Sequence, residues 1–371
     1  MNILFICDML NIGGKEILLL DICKNVSMVD FNIFLISNGG DLEKKFQNSN
    51  AIILKSKRIF PIDLRYILFI RNSIKKFNID IVHTHDSVSL FHAYLANLGL
   101  KKRMVDTKHG YINRAHKDNL VGKLLSKYID ANIIVSKSFF NELIRINFIN
   151  DKSKKFIVHN GIDPGRILKG EGNLKKELKL RNDIFLMGMV ANFTNGKDHI
   201  TVCKSLPKIF MNIPNSYFVF IGGKEVNSPQ LYDNCVELCK KNNILDRVFF
   251  LGKRSDIGNV LKSLDLFVFS SNTDAFCIAI IEAMIAGIPC LINDIQVFLE
   301  ISSNGKYAFI FKKGDVQDFI LKVLFLHKNL VKRCRIANDA QKWAMSNFSI
   351  SKHISSLKEV YELLLNFLSS I

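Results

Sequence analysis

Two acids, Asp274 and Glu282, stand eight residues apart in the run Ser270-Ser271-Asn272-Thr273-Asp274-Ala275-Phe276-Cys277-Ile278-Ala279-Ile280-Ile281-Glu282. An apolar stretch, Leu266-Phe267-Val268-Phe269, precedes the small polar residues, and a helical pattern follows them. This order predicts a helix that begins near Phe276 with Asp274 at its N-cap. Glu282 then lies about two helical turns further along. The amides of a first helical turn, at the positive end of the helix dipole, attract anions. Carboxylates accept from sugar hydroxyls while amides donate to phosphate, so the segment suits a ligand that carries both groups. A plain N-cap with an ordinary surface glutamate would have the same pattern.

A second cluster, Val190-Ala191-Asn192-Phe193-Thr194-Asn195-Gly196-Lys197-Asp198-His199, follows another apolar run and leads into a helix. Lys197 stands where an ammonium can meet a diphosphate, although a solvated lysine would read alike. Asn11-Ile12-Gly13-Gly14 lets a backbone approach a ligand closely, yet it lacks the Gly-x-Gly-x-x-Gly fingerprint of a nicotinamide site. His83 and His85 share one face of a strand and read as polar residues at its end. No Asp-x-Asp triplet and no Cys-x-x-Cys pair occurs, so neither a bridging divalent cation nor zinc is indicated and no cofactor is expected.

These residues need strands and helices to hold them. Ile3–Cys7, Phe31–Ile36, Ala51–Leu54, Ile79–His85, Met104–Thr107, Ile133–Val135 and Phe156–Val158 are short apolar runs separated by helical patterns. The alternation restarts with Phe185–Val190, Tyr217–Ile221, Val248–Leu251, Leu266–Phe269 and Pro289–Ile292. Runs of this kind are strands of parallel sheets buried on both faces, and their alternation with helices means an α/β fold. At 371 residues, 48% hydrophobic and 23% charged, the chain can build two such domains. Their expected limits are 1–165 and 166–351, with 352–371 a C-terminal amphipathic helix that carries Leu357, Val360, Tyr361, Leu364 and Leu365 on one side. Paired α/β units take ligands at the carboxyl ends of their strands.

The net charge is +17, spread over both halves, which favours anionic partners without suggesting a nucleic-acid arm. The aromatic-basic modules of nucleic-acid binders are absent, so no nucleic acid is expected as a partner. The helix Ile62–Phe77 carries Arg65, Arg71, Lys75 and Lys76 beside Phe69, Ile70 and Ile74, and Lys101, Lys102, Arg103, Arg114, Lys117, Lys123 and Lys127 add charge in the same half. It reads either as an interfacial helix on an anionic membrane or as the solvated face of a packed one. Met1-Asn2 leads straight into an apolar run that ends at Asp8, unlike a secretory leader, and the eight cysteines fall in apolar or helical segments. Reduced thiols in a cytoplasmic protein, peripheral at the inner face of a membrane, are the expectation.

The motifs in order resemble the retaining glycosyltransferases of family 4, also called group 1. They are Gly13-Gly14 before a helix, His109-Gly110 after a strand, Asn160-Gly161-Ile162-Asp163, Gly196-Lys197, Phe250-Leu251-Gly252 leading to Asp256, and the acid-x7-acid segment from Asp274 through Glu282-Ala283-Met284 to Gly287 and Pro289. The resemblance implies a GT-B fold, two Rossmann-like domains facing across a central cleft, with the C-terminal helix packing back on the N-terminal domain. It also implies roles. Glu282 would accept from the ribose of a nucleotide, and Asp274 from hydroxyls of the donor sugar. Amides of Phe276, Cys277 and Ile278 would hold sugar and diphosphate, and Lys197 would neutralise the departing phosphate. Gly13, Gly14, Asn192 and Gly222 would complete the donor site, and the backbone at Lys253 and Arg254 would read the base. His109 would lie at the reacting sugar, with His85 and Asn160 on the acceptor side.

The chain departs from the family pattern in three places. Asp274 stands for the usual glutamate, Ala275 and Cys277 replace glycines, and Asn192 replaces an arginine, a loss of one cation that Lys253 or Arg254 would have to offset. The reading that follows is a metal-independent hexosyltransferase. It would move a hexose or N-acetylhexosamine from a nucleotide-diphosphate sugar, UDP-sugar favoured, to a glycan or lipid-linked acceptor in bacterial surface polysaccharide synthesis. The rival readings are a sugar-nucleotide epimerase or phosphorylase-like enzyme on the same fold, and a degenerate nucleotide-sugar-binding partner subunit.

Overall fold

The structure is a computed structural model and describes residues 1–27, 29–110, 117–149, 154–225 and 229–366, with 117–119 by backbone alone. Arg114, the Lys117 side chain and residues 367–371 therefore lie outside the described residues. The chain divides into two compact units, one formed by Met1–Ile162 together with the segment from Phe348, the other by Asp163–Asn347.

The first unit is built on a parallel sheet of seven strands: β1 (Asn2–Ile6), β2 (Asn32–Ser37), β3 (Ile52–Lys55), β4 (Ile81–Thr84), β5 (Arg103–Lys108), β6 (Ala131–Ile134) and β7 (Lys154–Ile157). Their order is β3-β2-β1-β4-β5-β6-β7. Ile3, Leu4, Phe5 and Ile6 are fully buried, as the central position of β1 requires with helices on both faces. Because β1 pairs with both β2 and β4, the connections diverge between β1 and β4 and open a crevice at the carboxyl ends of β1 and β4. The second unit repeats the plan with β8 (Phe185–Val190), β9 (Ser216–Ile221), β10 (Val248–Phe250), β11 (Leu266–Phe269), β12 (Cys290–Asn293) and β13 (Phe309–Phe311). Its order is β10-β9-β8-β11-β12-β13, with the divergence between β8 and β11.

The C-terminal helix, Ile350–Asn366, completes the first unit. Its buried residues, among them His353, Leu357, Tyr361 and Leu364, recur at helical spacing. Tyr361 stands edge-on to Phe31 at 5.2 Å, and its hydroxyl lies 2.6 Å from Nδ1 of His83 on β4. His353 Nδ1 donates to the His159 carbonyl at 2.7 Å. The chain passes between units at 162/163 and 347/348, a few residues before the 165/166 and 351/352 limits drawn from sequence. The reason is a pair of backbone bonds, Ile162 N to Phe348 O and Ile350 N to Ile162 O, both 2.9 Å. Gly161 permits this closeness, because a Cβ there would lie 2.6 Å from the His353 Cβ.

The basic helix runs from Leu64 to Lys76, capped by Asp63, whose carboxylate accepts from the amides of Arg65 and Tyr66. Tyr66, Ile67, Ile70 and Ile74 face the core. Arg71 is held against the neighbouring helix: its guanidinium donates to the carbonyls of Ala96 and Leu98 at 2.9 and 2.6 Å. Arg103 likewise pairs with Asp130 at 2.7 Å. Seven cysteines are buried as free thiols, and Cys334 is exposed. Among the described residues no helix is long and apolar enough to cross a membrane.

His83 and His353 are built in uncharged. Burial, reinforced once His353 protonates at low pH, pushes His83 from 6.5 to about 3. Burial, partly opposed by the bond to the His159 carbonyl, takes His353 to about 4. The unfolded chain protonates both near pH 6.5 while the folded one does not, so stability is lost as pH falls from about 6.5 toward 4. Each histidine contributes a slope of up to about 1.4 kcal/mol per pH unit in that window. Urea unfolding across the window should show this loss, and His353→Gln should flatten the curve by one histidine's share; parallel curves would count against it.

Candidate functional site

In the second unit the loops that leave β8 and β11 are bonded to each other. Lys197 and Ser271 form an isolated antiparallel bridge, the Asn272 amide donates to the Gly196 carbonyl at 2.8 Å, and the Asp198 amide donates to the Ser270 carbonyl at 3.0 Å. Asn293, at the end of β12, clamps Ser271 through its amide and its carbonyl at 3.1 and 2.8 Å. Asp198 caps the helix His199–Asn212, accepting from the Thr201 amide at 3.1 Å and the Ser270 hydroxyl at 2.8 Å. With both loops fixed, the Lys197 ammonium meets the Asp274 carboxylate directly. It also lies 5.1 Å from the centre of the Phe269 ring. Burial alone would lower the Lys197 pKa; the Asp274 carboxylate, with a smaller contribution from Cys277, outweighs burial and holds the ammonium above its ordinary value.

That pairing changes one sequence expectation. Asp274 is not the N-cap of the following helix, because its carboxylate is engaged by Lys197. The helix is Ile278–Ile285, and its N-cap is Cys277, which makes no side-chain cap bond. No oxygen-bearing side chain stands at the N-cap to satisfy the amides of the first turn. Glu282 is buried within the helix, and Arg166 Nη1 reaches its carboxylate at 2.7 Å. Sequence reading missed Arg166. Asp163 accepts from the Gly165 amide at the start of a short helix with Pro164 in its first turn, and this Asp-Pro signal places Arg166 on that helix.

The carboxyl ends of β8, β9 and β10 bring Asn192, Gly222 and Lys253 together. Asn192 Oδ1 accepts from the Gly223 amide at 2.8 Å, so it pins a loop where the family carries a cation. Gly222, at φ +154°, donates to the Gly252 carbonyl at 2.9 Å, and a Cβ there would run into the Ala191 carbonyl. The Lys253 stem lies against Gly223, where an added Cβ would come 3.0 Å from its Cγ. Arg254 is engaged by two acids. Its guanidinium is taken up by Glu177 at 2.6 and 2.9 Å and by Asp256 at 2.9 and 2.7 Å. Hydrogen bonding from Arg254 holds Asp256 at about 2.

In the first unit a cavity of about 410 Å³ opens where β1, β4 and β5 end, and Gly14, Lys15, Asp86, His85, Lys108 and His109 are among its lining residues. Gly13 is the uncapped N-cap of the helix Gly14–Asn25. Lys15 contacts Glu16 at 3.2 Å and Asp86 at 3.7 Å, and Lys108 pairs with Asp106 at 2.5 Å. His85 Nδ1 and His109 Nε2 are 3.0 Å apart. The structure thus brings His85 and His109 together, while Asn160 is buried outside the lining of this cavity. The two lysines and their acids were not singled out from sequence, since the pairs form between loop positions of no recognisable spacing. Among the described residues no group of three or more His, Cys, Asp or Glu side chains is placed to hold a metal ion.

Residues 12–166 match the profile described as Glycosyltransferase Family 4, and residues 171–343 match Glycosyl transferases group 1. The chain is 26% identical to an Escherichia coli UDP-Gal:alpha-D-GlcNAc-diphosphoundecaprenol alpha-1,3-galactosyltransferase, over 81% of its own length and 79% of the relative's. It is 24% identical to a Bacillus anthracis N-acetyl-alpha-D-glucosaminyl L-malate synthase, over 95% and 94% of the two chains. An Anabaena protein, HepE, solved in complex with UDP and glucose, superimposes with a TM-score of 0.85 at 18% identity over 100% of both chains, a likeness of fold. Two parallel sheets with this strand order, and profiles that take up one unit after the other, lead to one conclusion: the chain is a GT-B protein and belongs to the family 4, group 1 glycosyltransferases.

Proposed function

We propose that this protein is a retaining hexosyl- or N-acetylhexosaminyltransferase that uses a UDP-sugar and extends a lipid-linked glycan acceptor in bacterial surface polysaccharide synthesis. The observation that carries the proposal is the Lys197–Asp274 pair beside the uncapped start of the Ile278–Ile285 helix, with Glu282 held by Arg166 further along it. A diphosphate meets an ammonium and helix amides there, a sugar hydroxyl meets Asp274, and a ribose meets Glu282. Lys197 then stabilises charge as it develops on the leaving phosphate, the electrostatic contribution that weighs most in such transfers. The leaving oxygen takes the proton of the acceptor hydroxyl. Family resemblance supports retention, and the names of the E. coli and Anabaena proteins support a UDP-sugar. The ammonium and helix terminus supply the positive charge, so no resident divalent cation is required.

The acceptor side is the cavity of the first unit, with His109 at the reacting sugar. A lipid-linked acceptor fits the apolar surface near the basic helix, where Ile59, Phe60, Ile62, Leu64 and Leu68 are exposed beside exposed Arg65. Such a stretch lies at an anionic membrane surface.

Released UDP from UDP-glucose, UDP-galactose and their N-acetylated counterparts is the assay. Lys197→Ala and Glu282→Ala should each lower kcat by on the order of 100-fold or more while the protein stays folded. Full activity in both variants would sink the assignment, and donor binding without UDP release would mark a binding subunit instead. Arg166→Met should raise the donor KM and lower stability by about 2 kcal/mol. That is less than the roughly 3–5 kcal/mol of a fully buried pair, because 26% of the Arg166 side chain stays exposed. A shift in the urea midpoint at unchanged slope reads the second effect.

A further inference from the structure

Ring side chains run in line through the first unit, from the C-terminal helix to the cavity. Tyr361 Oη is 2.6 Å from His83 Nδ1, and His83 Nε2 is 2.7 Å from Thr107 Oγ1, so the His83 ring is fixed at both nitrogens. His85 lies against it, ring centres 4.3 Å apart at 31°, and Phe5 presents its edge to both imidazoles. His85 Nδ1 then meets His109 Nε2 at 3.0 Å. His85 Nε2 and His109 Nδ1 have no hydrogen-bond partner among the described residues, and both rings line the cavity.

Both imidazoles are held neutral, chiefly by burial, and for His109 next by the charge of Lys15. The bordering charges, Lys15 with Glu16 and Asp86, and Lys108 with Asp106, are already paired with one another. A bond between two neutral imidazoles takes one N–H and one lone pair, so the tautomer of one ring dictates that of the other. If His109 Nε2 donates, His109 Nδ1 is bare and His85 carries its proton on Nε2. If His85 Nδ1 donates, His85 Nε2 is bare and His109 carries its proton on Nδ1. Either way the outer nitrogens offer one donor and one acceptor. His85 is packed between Phe5 and the fixed His83, whereas His109 lies just past the end of β5 and is followed by Gly110.

We propose that His85 is a positioning residue, which through its Nδ1 fixes the orientation of the His109 ring and couples that ring's tautomer to its own. The proposal rests on the assignment of His109 to the reacting sugar. Three variants separate it from its rivals: His85→Asn keeps a hydrogen-bonding group where Nδ1 stands, His85→Gln reaches toward the place of Nε2, and His85→Phe fills the volume with neither.

With the same UDP-sugar panel, His85→Phe and His85→Gln should lower kcat by about 10- to 100-fold with the donor KM changed less than about threefold, while His85→Asn should recover about tenfold of the kcat lost in His85→Phe. Activity kept by His85→Gln and lost with raised KM in His85→Asn would overturn the proposal in favour of a direct contact through Nε2. Equal loss in all three variants would overturn it in favour of a packing role. If the wild-type protein releases no UDP, the functional reading fails, and the ring pair is then decided on labelled protein. The 15N resonances of His109 should move in His85→Phe and return in His85→Asn; resonances unmoved in His85→Phe would refute the pairing.

Discussion

An ammonium held against a carboxylate where two parallel strands diverge is the constraint around which the second unit is arranged. Burial pulls the Lys197 pKa down, and Asp274 outweighs it. The pair survives because its two loops cannot drift. Asp198 ties the start of one helix to Ser270, Asn293 clamps Ser271, and Gly196 receives the Asn272 amide. Each tie uses a group that would otherwise be an unsatisfied donor or acceptor near the sheet edge. Polar satisfaction and the placing of a cation are thus one arrangement.

The first unit works with the opposite electrostatics. Its strand-end cavity pairs off its lysines and presents neutral imidazoles, whereas the second keeps a charged group poised by a single carboxylate. Both positions follow from the same sheet order, which opens a crevice beside the first strand of each unit. One strand plan, used twice, ends in neutral imidazoles in one copy and in a held ammonium in the other.

The sheets were legible in the sequence because strands covered on both faces leave continuous apolar runs, as in Ile3–Cys7 and Phe185–Val190. Lys197, Asp274 and Glu282 were legible because each sits at a fixed offset after such a run. What escaped depends on contacts between distant segments. The helix start was placed near Phe276 instead of Ile278, since nothing local reveals that Asp274 is drawn to a lysine 77 positions earlier. Arg166 was missed for the same reason, as the partner of a glutamate more than a hundred residues on. Arg254 was named with Lys253 as a residue that would offset the lost arginine; Asp256 is a local partner, but Glu177, 77 residues away, is not visible from the sequence. The His83–Tyr361 bond spans 278 positions and has no local trace in the sequence.

The first unit is discontinuous, and this sets an order on synthesis. A ribosome delivers the seven strands of that unit, then the whole of Asp163–Asn347, and only then the helix that covers Phe31 and supplies the Tyr361 hydroxyl. The unit begun first is finished last. During translation the later, contiguous unit can close while the earlier sheet still exposes the surface meant for Leu357, Val360 and Leu364, so the nascent chain relies on its final turns to bury it.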